Sequence, residues 1–212
     1  MSEKLLLIFE LMGTVAFAVS GAMLALSKKM DIFGVAVLGL VTSVGGGVIR
    51  DLVLGITPPA TFRNPIYAAV AITVSIIIFI PSVRRFISGS PMLYDKTLLI
   101  MDSVGLGIFT VMGIEAAYIA GYEDSVFLLI FVGVITGVGG GVIRDVLAGI
   151  TPAILVKHFY ATASIIGAVI CILLWNTVGR SAALFGGAVS VVMLRLLAAH
   201  FRWSLPKPDE NE

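Results

Sequence analysis

The chain has 212 residues, of which 58% are hydrophobic and only 13% are charged, and its mean hydropathy is +1.07. Soluble domains carry about 25% charged residues, so this chain has too few charges to cover a water-facing surface. Its high hydrophobicity also excludes intrinsic disorder. The net charge of +1 provides no basic footprint for a nucleic-acid partner. A single cysteine forms neither an internal disulfide nor a metal cluster.

Seven apolar runs approach or exceed the roughly 20 residues that a helix needs to cross a bilayer. In chain order they cover residues 5–27, 32–56, 66–83, 93–120, 126–150, 159–175 and 181–199, and we number them spans one to seven. The breaks between them are rich in proline, glycine or charged residues, which stop helices. The sequence therefore predicts an all-α integral membrane protein with seven transmembrane helices.

Basic residues are divided unevenly between the two sides of the membrane that seven spans define. One side carries Lys28, Lys29, Arg84, Arg85, Lys96, Lys157, Arg202 and Lys207, and the other carries Lys4, Arg63 and Arg180. Because cytoplasmic loops are enriched in lysine and arginine, we expect the N-terminus outside and the C-terminal tail inside. Anionic phospholipids are attracted to basic residues beside a membrane. The residues expected at this lipid interface are Lys28, Lys29, Arg84, Arg85 and Lys157.

An internal repeat is the strongest signal in the chain. Residues 45–58 recur as residues 139–152 with 11 of 14 positions identical, and Glu10 in span one aligns with Asp102 in span four. We therefore predict a first three-helix repeat over 1–91, a second over 92–178, a seventh helix over 179–204 and a cytoplasmic tail over 205–212. An odd number of spans in each repeat inverts the second copy in the membrane. Transport proteins often bind their substrates at the interface of such repeats.

Each repeat contains three consecutive glycines in its second helix. The two triplets are Gly45, Gly46 and Gly47 in span two and Gly139, Gly140 and Gly141 in span five. Glycine costs roughly 1 kcal/mol relative to alanine inside a helix, so the triplets have one of two uses. They pack helices closely, or they break the helix beside a cavity. Because the glycines are consecutive and recur in both repeats, we favour kinked helices.

A break at each triplet would expose backbone carbonyl groups on one side and amide groups on the other. Thr42, Ser43 and Thr136 lie beside the triplets and would add hydroxyl oxygens. Carbonyl and hydroxyl oxygens suit monovalent cations in transit, so we expect transient K+ or Na+ near the breaks. The clustered carboxylates that hold divalent ions are missing here, and no fixed structural metal is expected.

An arginine–aspartate pair follows each triplet, Arg50 with Asp51 and Arg144 with Asp145. Charges inside a span cost about 2.5–3.5 kcal/mol each and usually face the bundle interior. We expect these four residues and Asp102 to line a pore. The alternative is that each arginine reaches the membrane interface while each aspartate begins a half-helix.

Two glutamates lie nearer to the ends of their spans. Glu10 is five residues into span one, and we expect it to reach the interface. For Glu115 in span four, the choice is between a solvated residue at a helix end and a charge in a pore vestibule. No nucleotide-binding, nucleophile or zinc signature occurs in the context that its chemistry requires. Neither an enzyme nor a cofactor is expected.

The seven spans and the duplicated Gly-Gly-Gly-x-Ile-Arg-Asp motif resemble the prokaryotic branch of the trimeric intracellular cation (TRIC) channel family, which is also grouped as glycine-transporter domain proteins. The resemblance implies a homotrimer in the cytoplasmic membrane of a bacterium or archaeon, with an hourglass pore in each subunit. It also implies helices kinked at the glycines and conduction of K+, and less selectively Na+. The Lys-Glu-Val signature of animal members is missing, so generic phospholipids rather than phosphoinositides are the expected lipid partners.

Three functions fit these residues. The first is a K+-permeable channel, favoured by the resemblance. The second is a carrier of glycine or another small zwitterion, in which carbonyl groups bind the ammonium group and an arginine binds the carboxylate. The third is a protein that organises the membrane without transport. The two arginines favour the carrier unless carboxylates neutralise them, and Asp51, Asp102 and Asp145 can do so.

Overall fold

The computed structural model describes residues 3–87, 89–156 and 159–203. Within these ranges the regular elements are helices and no strand occurs. They are α1 (Glu3–Ser27), α2 (Ile32–Val53), α3 (Ala60–Arg63), α4 (Ile66–Phe79), α5 (Pro81–Ile87), α6 (Pro91–Ile119), α7 (Val126–Leu147), α8 (Ala153–Val156), α9 (Ala161–Val178) and α10 (Arg180–His200). Helices α1, α2, α6, α7, α9 and α10 are long and apolar enough to cross a membrane. Helices α4 and α5 form a seventh candidate span that bends by 80°. The all-α fold is confirmed, with six candidate spans and a seventh where the bent pair α4–α5 counts as one span.

Local signals determine where the two motif helices begin and end. Helix α2 follows Asp31, whose carboxylate accepts a hydrogen bond from a first-turn amide, and α7 follows Ser125, whose hydroxyl does the same. After α2 the chain reverses at Gly55, with φ of 72°, and after α7 at Gly149, with φ of 65°. Glycine adopts this left-handed conformation without strain. Both helices therefore end three residues earlier than the apolar runs predicted.

The alternating helices place the two arginine–aspartate pairs at opposite ends of the bundle. The end that we call the Arg50 face contains the start of α1, the C-terminal ends of α2 and α6, and the start of α4. The opposite end, the Arg144 face, contains the end of α1, the start of α6 and the C-terminal ends of α7 and α10. Helices α2 and α7 pack against each other in the centre. This is the arrangement expected of two inverted repeats with an added helix.

Matching contacts within the repeats support their equivalence. Gly21 in α1 packs against Thr42 in α2, and Gly113 in α6 packs against Thr136 in α7. A Cβ on Gly21 would lie 2.6 Å from Oγ1 of Thr42. A Cβ on Gly113 would lie 2.5 Å from Oγ1 of Thr136. Each threonine hydroxyl donates a 2.6 Å hydrogen bond to the carbonyl four residues earlier in its own helix. The first two helices of both repeats are therefore joined by the same close contact.

The expectation that the helices break at the glycine triplets is wrong. Helices α2 and α7 continue through residues 45–47 and 139–141 without interruption. The physical reason is close packing, because Gly46 lies against the carbonyl oxygen of Thr136, and Gly140 lies against the carbonyl oxygen of Thr42. A Cβ at either glycine would overlap that oxygen. A bend that keeps the helical hydrogen bonds stays a prediction.

Candidate functional site

The centre of the candidate site is the crossing of α2 and α7. Besides Gly46 and Gly140, a second glycine of each triplet faces the partner helix. A Cβ on Gly45 would lie 2.9 Å from a side-chain atom of Ile143, and a Cβ on Gly139 would lie 3.2 Å from the Cα of Gly46. Two glycines in each helix thus let the backbones meet in the middle of the bundle, the small-residue packing that is common in membranes.

The third glycine of each triplet points away from the crossing. A Cβ on Gly47 would meet nothing nearer than a terminal nitrogen of Arg50 at 3.9 Å, and Gly47 lines a small cavity of about 60 Å³. A Cβ on Gly141 would lie 3.1 Å from the hydroxyl oxygen of Tyr160. Ser43 also lines the small cavity, whereas Thr42 is buried at the helix crossing.

On the Arg144 face, the second arginine–aspartate pair belongs to a buried ion-pair cluster. Arg144 Nε donates a 2.8 Å hydrogen bond to Asp145 Oδ1, and Arg144 Nη1 donates one of 2.7 Å to Asp102 Oδ1. Nη1 also donates to the hydroxyl of Ser20 in α1. Only 5% of the Arg144 side chain is exposed. The cluster joins α1, α6 and α7, and Arg144 faces the bundle interior rather than the interface.

A second arginine, Arg195 in α10, completes this cluster. Its side chain is 4% exposed, its guanidinium lies over the ring of Tyr160 at 4.6 Å, and its Nη2 is 3.9 Å from Asp102 Oδ2. The sequence offered no signal for this role, because Arg195 lies near the end of an apolar helix where a side chain often reaches the interface. Its burial beside Asp102 follows from the packing of α10 on α6.

The aspartate of each pair also accepts a hydrogen bond from the chain that follows its helix. Asp51 Oδ2 accepts a 2.7 Å hydrogen bond from the backbone amide of Ala60, and Asp145 Oδ2 accepts an equal one from the amide of Ala153. The other carboxylate oxygen of each aspartate bonds the neighbouring arginine at 2.8 Å. Neighbouring residues of a helix thus do pair here, although their directions differ by about 100°.

Arg50 makes fewer ion pairs on its face than Arg144 makes on the opposite face. Arg50 pairs with Asp51 and is 12% exposed, and no second ion pair to Arg50 occurs among the residues that the structure describes. Glu10, at the position equivalent to Asp102, accepts a hydrogen bond from the hydroxyl of Tyr67 instead. The equivalent positions therefore hold an ion-pair network on one face and a hydrogen bond from a neutral tyrosine hydroxyl on the other.

Cavities open on both faces of the bundle. A cavity of about 480 Å³ on the Arg144 face is lined by Asp102, Arg144, Asp145 and Arg195 among others. On the Arg50 face, a cavity of about 400 Å³ contains Glu10, Arg50, Tyr67 and Glu115, and the small cavity extends to Ser43 and Gly47. No lining residue is shared between the cavities of the two faces.

An aromatic pair lies between the two faces. Along α1, Phe17 lies between Thr14 and Ser20. Thr14 lines the small cavity, and the hydroxyl of Ser20 accepts a hydrogen bond from Arg144. Its ring packs against Phe109 in α6 with 5.3 Å between centroids, and a Cβ on Gly105 would overlap that ring. The rings and the α2–α7 crossing thus lie along the helices between the polar cavities.

Glu115 is buried, which rules out the first of its two alternatives, a solvated residue at a helix end. Its side chain is 3% exposed, and its Oε1 pairs with Arg180 at the start of α10. The expected lipid-interface residues Lys28, Lys29, Arg84 and Arg85 are all exposed. Lys157 and the tail over 205–212 lie outside the described residues.

These features define an integral membrane protein with a polar cavity at each end of an inverted repeat. The glycine transporter family model matches residues 7–82 and 99–176, once in each repeat. The UPF0126 inner membrane protein YadS of Escherichia coli (strain K12) is 41% identical over 209 residues, which cover 95% of this chain and 96% of that protein.

Solved structures of TRIC channels are also similar to this chain. The TRIC channel orthologue from Rhodobacter sphaeroides is 35% identical with a TM-score of 0.85, over 95% of this chain and 100% of its own. A structure described as the structural basis for conductance through TRIC cation channels is 39% identical with a TM-score of 0.85, over 97% of this chain and 98% of its own. The chain belongs to the trimeric intracellular cation channel family.

Proposed function

We propose that this protein is a channel for monovalent cations, permeable to K+, with one pore in each subunit of a homotrimer. The observation that carries the proposal is the pair of polar cavities that approach the α2–α7 crossing from opposite faces. The solved relatives at 35% and 39% identity, which are described as TRIC channels, support both cation permeation and the trimer.

The proposed pore follows α2 and α7 through both repeats, which we assign to 1–91 and 92–178, with the seventh helix over 179–204. The polar residues assigned to its course are Thr42, Ser43, Arg50, Asp51, Asp102, Thr136, Arg144 and Asp145. Thr42 and Thr136 are buried at the crossing, so they reach a permeating ion only when the two helices separate. Transient K+ or Na+ would then meet their hydroxyl oxygens and the backbone carbonyls that now face Gly140 and Gly46.

Carboxylates neutralise the arginines along this path. The charge of Arg50 is matched by Asp51, and those of Arg144 and Arg195 are matched by Asp102 and Asp145. A guanidinium whose charge is matched by a carboxylate at about 3–4 Å repels a passing cation far less than an isolated one. The arginines are therefore compatible with a cation pathway and do not require a carrier for zwitterions.

We assign this conformation to a closed state of the proposed pore. The cavities of the two faces share no lining residue, and the Phe17–Phe109 pair lies between them along the helices. Because Gly46 and Gly140 contact backbone oxygens directly, α2 and α7 leave no space for an ion at their crossing. Opening requires these helices to move apart or bend.

Purified protein in planar bilayers and liposomes tests the proposal, with native mass spectrometry to measure the oligomer. We expect a trimer and unitary currents whose reversal potential follows the K+ gradient. The family model is described as a glycine transporter, which makes a glycine carrier the alternative. Saturable glycine uptake without unitary currents would overturn the channel in favour of that alternative.

We further propose that the Arg144 face is cytoplasmic in a bacterial inner membrane, with the N-terminus outside. Lys28 and Lys29 follow the end of α1 at this face, and Arg84 and Arg85 belong to α5 at the same end of the bundle. All four side chains are exposed. Anionic phospholipid headgroups are the partners that such a basic surface attracts.

A further inference from the structure

A tyrosine at the start of the third helix also belongs to each repeat. Tyr67 comes seven residues after Ala60, and Tyr160 comes seven residues after Ala153. The backbone amides of these two alanines bond the two motif aspartates, so the tyrosines occupy equivalent positions. Together with the matching acids and arginines, each face of the bundle contains an acid, an arginine and a tyrosine at corresponding places.

The arginines of the two faces use their guanidinium groups differently. Arg144 donates from Nε to Asp145 and from Nη1 to Asp102 at the same time. Arg50 makes the first kind of bond, from Nε to Asp51 at 2.8 Å. Among the described residues, no ion pair joins a terminal nitrogen of Arg50 to a carboxylate. Because a guanidinium carries five N–H donors, Arg50 can bind a second acid without losing the first.

The acid that corresponds to Asp102 lies beside Arg50 without pairing with it. Glu10 and Arg50 line both cavities of the Arg50 face, together with Tyr67. The hydroxyl of Tyr67 donates its hydrogen bond to Glu10 Oε2. A glutamate is one methylene longer than an aspartate, so Glu10 reaches at least as far as Asp102 does from the equivalent position. The tyrosine hydroxyl therefore takes the place that the arginine has on the opposite face.

We infer that Glu10 exchanges between Tyr67 and Arg50, and that the Glu10–Arg50 ion pair is the counterpart of the Asp102–Arg144 pair. Only side chains need to move, because the bond from Arg50 Nε to its neighbouring aspartate is kept in both states. Each state provides a donor for the Glu10 carboxylate. Two conformations that differ by a few kcal/mol or less are both populated to a measurable extent.

The exchange controls the small cavity that leads toward the α2–α7 crossing. This cavity of about 60 Å³ extends to Ser43 and Gly47. When Glu10 is bonded to Tyr67, the space is free, whereas a Glu10–Arg50 pair would place both side chains in it. Tyr67 is thus a positioning residue that keeps the Arg50 face accessible. The effect on ion passage rests on the proposed channel function, but the exchange itself does not.

The reactivity of a thiol in the small cavity tests the exchange. Gly47→Cys in a Cys171→Ala background provides the thiol, because a Cβ on Gly47 meets no atom nearer than 3.9 Å. Methyl methanethiosulfonate is small and neutral, and its reaction with purified protein is followed by mass spectrometry. We expect Tyr67→Phe to slow the reaction about tenfold, since the loss of a hydrogen bond to a charged group shifts a two-state ratio by such a factor.

Glu10→Gln shows whether this effect passes through the acid. In a Glu10→Gln background no carboxylate is left to pair with Arg50, so Tyr67→Phe should no longer slow the reaction. The comparison also cancels any direct effect of the lost charge on the thiol. The exchange is wrong if Tyr67→Phe slows the reaction equally with and without Glu10. It is also wrong if Tyr67→Phe leaves the rate unchanged or raises it while Glu10 is present.

Tyr94→Phe is the matched control. The hydroxyl of Tyr94 donates a 3.2 Å hydrogen bond to the carbonyl of Met23 near the Arg144 face, so this variant removes one tyrosine hydroxyl away from the small cavity. It should leave the reaction rate unchanged. Equal slowing by Tyr94→Phe and Tyr67→Phe would indicate general loosening of the bundle and would overturn the exchange.

Planar-bilayer recordings separate the exchange from the channel function. If the protein is a channel, Tyr67→Phe should lower the open probability by a similar factor, and adding Glu10→Gln should restore it. A wild-type protein without unitary currents would overturn the channel, while the thiol measurements still decide on the exchange. Normal wild-type currents, together with thiol reactivity that does not respond to Tyr67→Phe, would overturn the exchange and leave the channel standing.

Discussion

The backbone carbonyl of Thr136 in α7 lies directly against Gly46 in α2, with no room for a side chain between them. Gly46→Ala should therefore force the two helices apart. Overpacking of this kind costs about 1–3 kcal/mol, and we expect the thermal unfolding midpoint in detergent to fall by about 5 °C.

The neighbouring glycine provides the control for this substitution. A Cβ on Gly47 meets only a terminal nitrogen of Arg50 at 3.9 Å. Gly47→Ala should leave the midpoint unchanged or raise it, since alanine is the better helix former by roughly 1 kcal/mol. If the two variants unfold at the same temperature, the tight α2–α7 contact is not what these glycines provide.

A second prediction concerns the ion pair between Arg144 and Asp102. Asp102→Asn removes the charge of one partner of a buried network and leaves Asp145 as the carboxylate that pairs with Arg144. Breaking a buried pair in this way costs about 3–5 kcal/mol, which we expect as a large loss of stability in chemical denaturation. Asp95→Asn is the control, because Asp95 is an exposed acid on the same helix. Equal stability of the two variants would contradict the buried network.

The loops that follow α2 and α7 give a third prediction, with each repeat serving as the control for the other. Asp51→Ala removes the acceptor for the amide of Ala60, and Asp145→Ala removes the acceptor for the amide of Ala153. Hydrogen bonds to charged groups contribute about 1.5–3 kcal/mol. Hydrogen exchange should therefore rise about tenfold or more in 54–63 for the first variant and in 148–156 for the second. Acceleration of both loops by either substitution would indicate general unfolding instead.

Membrane orientation is tested by cysteine labelling. Cys171 is fully buried and should not react, and Cys171→Ala provides the background. We expect a cysteine at Lys28 to react with a membrane-impermeant maleimide only from the cytoplasmic side, and one at Tyr122 only from the outside. The two positions lie in exposed loops at opposite ends of the bundle. The reverse pattern would invert the proposed orientation.

The sequence was sufficient to predict the candidate spans, because apolar length and helix-stopping residues are local properties. The role of the glycines was not predictable in the same way. Three consecutive glycines have the same sequence whether they break a helix or allow a second helix to pack closely. Only the position of Thr136 opposite Gly46 decides between these uses.

Pairings between side chains far apart in the sequence could not be predicted either. The burial of Glu115 depends on Arg180, which lies 65 residues later in the chain. The partner of Asp102 depends on how α7 and α10 pack on α6. Charges at matching repeat positions indicated that Glu10 and Asp102 occupy equivalent places, but the repeat could not show that one would meet a tyrosine and the other two arginines.

The α2–α7 crossing also has a consequence for how the two repeats are inserted into the membrane. Each of its closest contacts joins a glycine of one repeat to a carbonyl of the other, so neither half contains both surfaces of its own centre. A half-length chain made of one repeat would enter the membrane with a glycine-lined face uncovered. A second copy inserted in the opposite sense would present the matching glycine face. During synthesis the glycine face of α2 lacks its partner until α7 has been inserted.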